Sequence, residues 1–166
     1  MMIALRFLAL LGLLATFALT IAAGEARAQE REVPYWATLR FDEVNMRVGP
    51  SQEYKIDWVY KRKGLPVRVV RLREGWRLVE DHEGEQGWIA ASQLSPKLGA
   101  LIIGDGLAEM KRDPEAGAPV NWRAEPGVVG ELLRCRDDYC EIDVAGRSGW
   151  VASARLWGVG EMEPAG

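Results

Sequence analysis

Apolar and polar residues alternate over short stretches along most of this chain, and Gly-bearing turns cut the stretches apart. A two-residue period puts successive side chains on opposite faces, so each stretch predicts a half-buried β-strand. After a loose lead-in over residues 29–35, residues 36–41 predict a first strand and residues 45–51 a turn. In residues 56–61 the alternation places Ile56, Trp58 and Tyr60 on one face, and Gly64 ends the run. Residues 67–72 and 76–80 predict a hairpin about Glu74-Gly75, with a polar tip at residues 81–85 and a closing strand at 87–90. Residues 91–94 predict one 3₁₀ turn before Pro96.

The second half copies this plan. Pro50, Gly64, Trp76, Trp88 and Leu94 are echoed by Pro114, Gly127, Tyr139, Trp150 and Leu156, at offsets of 64, 63, 63, 62 and 62. An offset that slips by one residue twice is the mark of a duplicated unit with two single-residue deletions. Met46 and Met110 fall in register, as do Asp57-Trp58 and Asn121-Trp122. Val120, Trp122 and Ala124 mirror Ile56, Trp58 and Tyr60. Residues 100–103 and 107–110 flank a Gly104-Asp105-Gly106 turn, and residues 130–135 and 139–144 predict a second hairpin. No window of residues 29–166 carries a sustained 3.6-residue period, so the expected class is all-β. Neither copy alone buries much apolar surface, and packing between them is expected to help stability.

Residues 1–28 have the pattern of an export signal. Arg6 precedes an apolar run over residues 7–23, and Ala26-Arg27-Ala28 offers small residues where a signal peptidase reads, so cleavage before Gln29 is expected. The competing expectation is an uncleaved anchor, at the short edge of what spans a bilayer. No later stretch is apolar enough to span a membrane. Without residues 1–28, which hold Arg6, Arg27 and Glu25, the balance is 19 basic against 23 acidic residues, which argues against a general nucleic-acid binder. The two cysteines, Cys135 and Cys140, lie five residues apart about a polar turn. Their equivalents, Leu72 and Arg77, bracket the Glu74-Gly75 turn, so the two sulfurs are expected to face each other as a disulfide. One His and two close Cys make no zinc framework, and neither metal nor cofactor is expected.

The run Asn45-Met46-Arg47-Val48-Gly49-Pro50-Ser51, then Lys63-Gly64, Gly75-Trp76-x-x-Val79 and Gly87-Trp88-Ile89, resembles bacterial SH3-like domains. The resemblance implies two tandem SH3-like β-barrels, residues 36–95 and 99–158, followed by a tail over residues 159–166. It covers nearly the whole chain after the signal. The motif is degraded in the second copy, where Glu109-Met110-Lys111-Arg112-Asp113-Pro114 stands in its place. The family implies an exported periplasmic or envelope protein that recognises a cell-wall peptide or an envelope protein. The rival expectation is a structural or regulatory partner subunit with no cell-wall ligand.

Catalysis is the weaker expectation. His82 lies in the other repeat from both cysteines, and Asp81, Glu83 and Glu85 fit a solvated hairpin tip. Gly104-Asp105-Gly106 lacks the Lys-Ser/Thr of a phosphate loop. Binding chemistry has better candidates. Tyr54, Trp58, Tyr60 and Trp76 are the candidate groove for an extended peptide, with Lys61, Arg62 and Lys63 at its rim. The competing expectation has Trp76, Trp88, Trp122 and Trp150 filling two small cores, with Trp88 and Trp150 the firmest core residues. Eight basic residues between Lys55 and Arg77 stand against Asp57 and Glu74. That run suits either a solvated surface that keeps sheet edges apart or a docking face for an anionic partner.

Overall fold

A computed structural model describes residues 31–160; the expected export signal and most of the expected tail lie outside the described residues. Residues 32–160 fall in one compact unit. The first repeat holds seven strands: β1 (Tyr35–Leu39), β2 (Val44–Arg47), β3 (Ile56–Tyr60), β4 (Pro66–Arg73), β5 (Trp76–Glu80), β6 (Gln86–Ala90) and β7 (Leu94–Ser95). The second repeats them as β8 (Gly99–Ile102), β9 (Ala108–Lys111), β10 (Val120–Ala124), β11 (Val129–Arg136), β12 (Tyr139–Val144), β13 (Arg147–Ala152) and β14 (Leu156–Trp157). The expected 3₁₀ turn is present at Ala91–Gln93 and again at Ser153–Arg155. The sheet orders are β3-β2-β6-β5-β4-β1-β7 and β10-β9-β13-β12-β11-β8-β14, the same topology twice. The described residues are all-β, two tandem copies of one seven-strand domain, as the class expected from sequence has it.

The duplication extends to irregularities. One extra residue, Asp57, interrupts the β2–β3 pairing, and Asn121 interrupts β9–β10 at the matching place. Val70 and Leu133 do the same in the β4–β5 and β11–β12 pairs. A bulge flips the alternation beyond it. Ile56 therefore pairs with Arg47, while Trp58 pairs with Met46, and the single face expected for Ile56, Trp58 and Tyr60 is broken. Residues 45–47, expected to enter a turn, belong to strand β2.

Two cores sit side by side. Leu39, Val44, Met46, Val67, Val69 and Ile89 anchor the first; Ala100, Ile102, Met110, Ile142 and Val151 anchor the second. Strand β8 is buried along its whole length because it serves both. Ala100 and Ile102 enter the second core, while Leu101 enters the first. An unbroken apolar run is the sequence mark of a strand covered on both faces. The junction is tight: a Cβ on Gly99 would stand 2.6 Å from the Gly64 carbonyl oxygen and 2.8 Å from Thr38 Cγ2. Trp157 donates its indole N–H to the Pro66 carbonyl at 3.2 Å and stacks edge-on against Trp36 at 5.0 Å.

The Gly-Trp pairs bear out the expected burial at Trp150, which is 5% exposed, and not at Trp88. Gly87 and Gly149 face the cores, where a Cβ would fall 2.4 Å from Met46 Cγ and 2.9 Å from Met110 Cβ. Each glycine makes room for a methionine, and the tryptophan beside it points to the opposite face. Trp88 is half-buried there, and Trp150 is covered by Arg134, whose guanidinium carbon lies 5.2 Å from its ring centre. The disulfide is as expected. Cys135 pairs with Cys140 across the hairpin with Cα atoms 4.0 Å apart, and both sulfurs are bonded.

Candidate functional site

The Arg-x-Gly-Pro-Ser motif builds the loop between β2 and β3. Arg47 Nη1 donates to the Tyr54 carbonyl at 2.6 Å, closing the loop on itself. The Val48 N–H bonds the Lys55 carbonyl at 3.1 Å, and the Tyr54 N–H bonds the Ser51 carbonyl at 3.3 Å. The Tyr54 ring lies flat against Gly49, where a Cβ would stand 2.6 Å from the ring carbons. Arg47, Gly49 and Ser51 thus have local structural reasons, and the product is a loop closed on itself that presents Tyr54, 49% exposed. Val48, Ile56 and Trp58 are exposed on the same arm, Trp58 at 59%. These four large apolar side chains are exposed along one hairpin, with Ile56 and Trp58 on either side of the bulge at Asp57, and they make this arm the candidate contact region.

The other expected groove residues lie elsewhere. Tyr60 is in the first core, and its hydroxyl donates to Asp81 Oδ2 at 2.8 Å. Burial first, then the bond to Asp81, pushes the Tyr60 phenol above its ordinary range. Trp76 pairs with Ala90 and Arg73, on the face opposite core-facing Ile89. With β2 and β6 between, its strand stands about 14 Å from β3 at the usual strand spacing. Lys61 pairs with Glu43. Arg62 donates to the Gly127 carbonyl of the second repeat. Lys63 opens onto a cleft of about 490 Å³ between the repeats, together with Arg40, Lys97, Glu131 and Asp143. The expected basic rim is dispersed by these contacts, which leaves Tyr54 and Trp58 as the members of the set that share one exposed arm.

The second repeat keeps the loop and loses the surface. Its backbone bonds match one for one: Arg112 N–H to Pro119 O, Glu115 N–H to Asp113 O, and Ala118 N–H to Glu115 O. Lys111 Nζ donates to the Ala116 carbonyl, as Arg47 does to Tyr54. Ala118, 6% exposed, stands where Tyr54 stands. Trp122 is taken up internally: its Nε1–H donates to the Ser148 carbonyl at 3.2 Å, and the Arg147 guanidinium lies 4.9 Å from its ring centre.

Groups suited to catalysis are otherwise engaged. Asp81 accepts the Glu83 and Glu85 amides, both at 3.0 Å, on the oxygen that Tyr60 does not use. Both cysteines are in the disulfide. Among the described residues no group of three His, Cys, Asp or Glu side chains is placed to hold a metal ion, and no helix is long and apolar enough to cross a membrane.

A twice-repeated seven-strand β unit with a closed loop and an exposed aromatic arm has the build of a small binding module. The family is explicit in the sequence comparison. The model of the bacterial SH3 domain matches residues 41–96 and 105–158, and the chain belongs to that family. No curated protein matches it. Among solved structures it is similar to NlpC1 from Trichomonas vaginalis, at 13% identity and a TM-score of 0.33, over 77% of this chain and 47% of that one. It is likewise similar to NlpC2 from Trichomonas vaginalis, at 13% identity and a TM-score of 0.35, over 82% of this chain and 52% of that one. The chain thus spans about half the length of those two proteins.

Proposed function

We propose that this protein is an exported, non-enzymatic binding module of the periplasm or cell envelope, which recognises a cell-wall peptide or an envelope protein through the arm of its first repeat. The observation that carries this reading is the contrast between two superposable arms. Trp58 and Tyr54 are open in the first, while the second buries an alanine and covers its tryptophan. Membership of the bacterial SH3 domain family and the export-signal pattern of residues 1–28 support the setting. An aromatic anchor at the centre of a binding site costs about 2 kcal/mol or more when truncated. Immobilised protein is incubated with envelope extract and, separately, with purified peptidoglycan. Retention of either ligand that is lost in Trp58→Ala and Tyr54→Ala is the expected result. Retention unchanged in both variants, with the fold intact by circular dichroism, would move the site off this arm.

A further inference from the structure

The duplication lets one repeat report what the other lacks. Trp58 and Trp122 occupy matching positions, each opposite a buried methionine. Over Trp122 lies Arg147, and the residue matching Arg147 in the first repeat is Glu85. Two neighbours change in the same sense, with Asp57 in place of Asn121 and Glu83 in place of Ala145. The first repeat therefore carries an acid where the second carries the cation, plus two further carboxylates. Glu83 and Glu85 both flank Asp81: the Asp81 N–H bonds the Glu85 carbonyl at 3.0 Å, the Glu83 N–H bonds the Asp81 carboxylate, and Asp81 accepts from Tyr60, two residues along β3 from Trp58. Among the described residues no hydrogen bond reaches the Trp58 indole and no cation lies over its ring.

The strand itself is open. β3 is at the end of its sheet and pairs with β2 alone. A free strand edge bonds an added extended segment through the backbone, and alternate side chains of that segment then meet the host's side chains. Resting on the binding-module reading above, we infer that the Trp58 face is the seat of an arginine or lysine side chain on an extended segment of a protein partner. The segment lies along β3, and its cation takes the place that Arg147 fills within the second repeat. Tryptophan is the best aromatic acceptor for such a cation, and Asp57, Glu83 and Glu85 supply the opposite charge.

The probe is a capped synthetic peptide, Thr-Val-Arg-Val-Thr, with the same peptide carrying neutral citrulline for arginine as its control. The readout is the indole N–H resonance of Trp58, assigned by its loss in Trp58→Phe. The arginine peptide should shift it saturably with one site per chain, and citrulline should weaken binding about fivefold or more. Glu85→Arg should supply the cation internally and abolish the shift. Arg147→Glu should uncover Trp122 and raise the stoichiometry to two. Equal binding of the citrulline peptide, or full binding by Glu85→Arg, would overturn the inference. The envelope extract separates this from the parent reading. Capture of an envelope protein by wild type and Glu85→Arg alike removes the cation but keeps a binding module. Capture of peptidoglycan alone removes the protein partner, and capture of nothing removes the module.

Discussion

In both repeats a loop stapled by a basic residue leads into a strand whose tryptophan pairs with a core methionine: Trp58 with Met46, and Trp122 with Met110. The loops share their backbone bonds, and the strands share a bulge at Asp57 and Asn121. What differs is the covering. The second arm satisfies its indole with Ser148 and Arg147, and elsewhere in the second repeat a disulfide closes the β11–β12 hairpin. The first leaves its indole open and invests in its core instead, with a Tyr60–Asp81 bond where the second has Ala124 and Val144. The same scaffold therefore holds one copy with an open arm and one closed on itself, and side chains rather than backbone make the difference.

The largest test asks whether the two copies are separable at all. Gly99 backs onto the Gly64 carbonyl and Thr38 of the first repeat, so a methyl there must push backbone. Gly99→Ala should cost about 2–3 kcal/mol. Because Leu101 also enters the first core, urea unfolding should stay a single transition shifted as a whole. Two separated transitions in the variant would mean the repeats fold independently. Gly117→Ala, with nothing within 4 Å and no left-handed backbone, is the control and should be near neutral.

The second test removes a device present in the second copy alone. Reducing the Cys135–Cys140 bridge should cost about 2 kcal/mol, because the loop it closes is short. The urea midpoint with and without reductant measures it. Thiol titration of the denatured, unreduced protein should find no free cysteine.

The third test removes a device present in the first copy alone. Tyr60→Phe leaves the Asp81 carboxylate short of a partner in a buried place and should cost about 2 kcal/mol near neutral pH. The folded Tyr60 phenol titrates above its unfolded value of about 10. Its contribution is thus complete below about pH 10 and is lost as pH rises further, since the unfolded chain ionises first. Thermal midpoints of wild type and Tyr60→Phe should therefore converge in alkali. A constant gap across pH 8 to about 11.5 would show that Tyr60 titrates normally.

These residues also show what the sequence made legible. Alternation located most of the strands, because most have a wet face and a dry one, though β2 was expected as a turn and β8 is covered on both faces; the turn between Cys135 and Cys140 located the disulfide. The duplication was visible in spacing alone. Tyr60 was misplaced because its hydroxyl is satisfied by Asp81, 21 residues away, and no local pattern announces that partner. Trp150 is buried as expected, but Trp88 is only half-buried, because Gly87 faces the core to make room for Met46 from another strand. The basic run at residues 61–63 looked like one patch because its members are adjacent in the chain. Glu43, the second repeat and the inter-repeat cleft draw them apart. Of the candidate groove, Tyr54 and Trp58 remain, the two whose exposure follows from the loop motif and the sheet edge.

The smallest expected effect bears most directly on the comparison. Trp122→Ala removes packing against the second core, the Ser148 bond and the seat of Arg147, and should cost about 1–2 kcal/mol. Trp58→Ala removes a side chain 59% exposed and without a polar partner, and should change stability by no more than about 0.5 kcal/mol. Two tryptophans in matching places would then differ because one is held by its own chain and the other is not. A tryptophan that contributes little to folding and sits exposed on the same arm as Tyr54 fits a role in contact. Paired urea titrations at equal protein concentration measure the gap. If Trp58→Ala is as destabilising as Trp122→Ala, Trp58 is structural and the first arm is not open. If Trp58→Ala is neutral and also abolishes retention of the envelope ligand, the division between a contact repeat and a closed one holds.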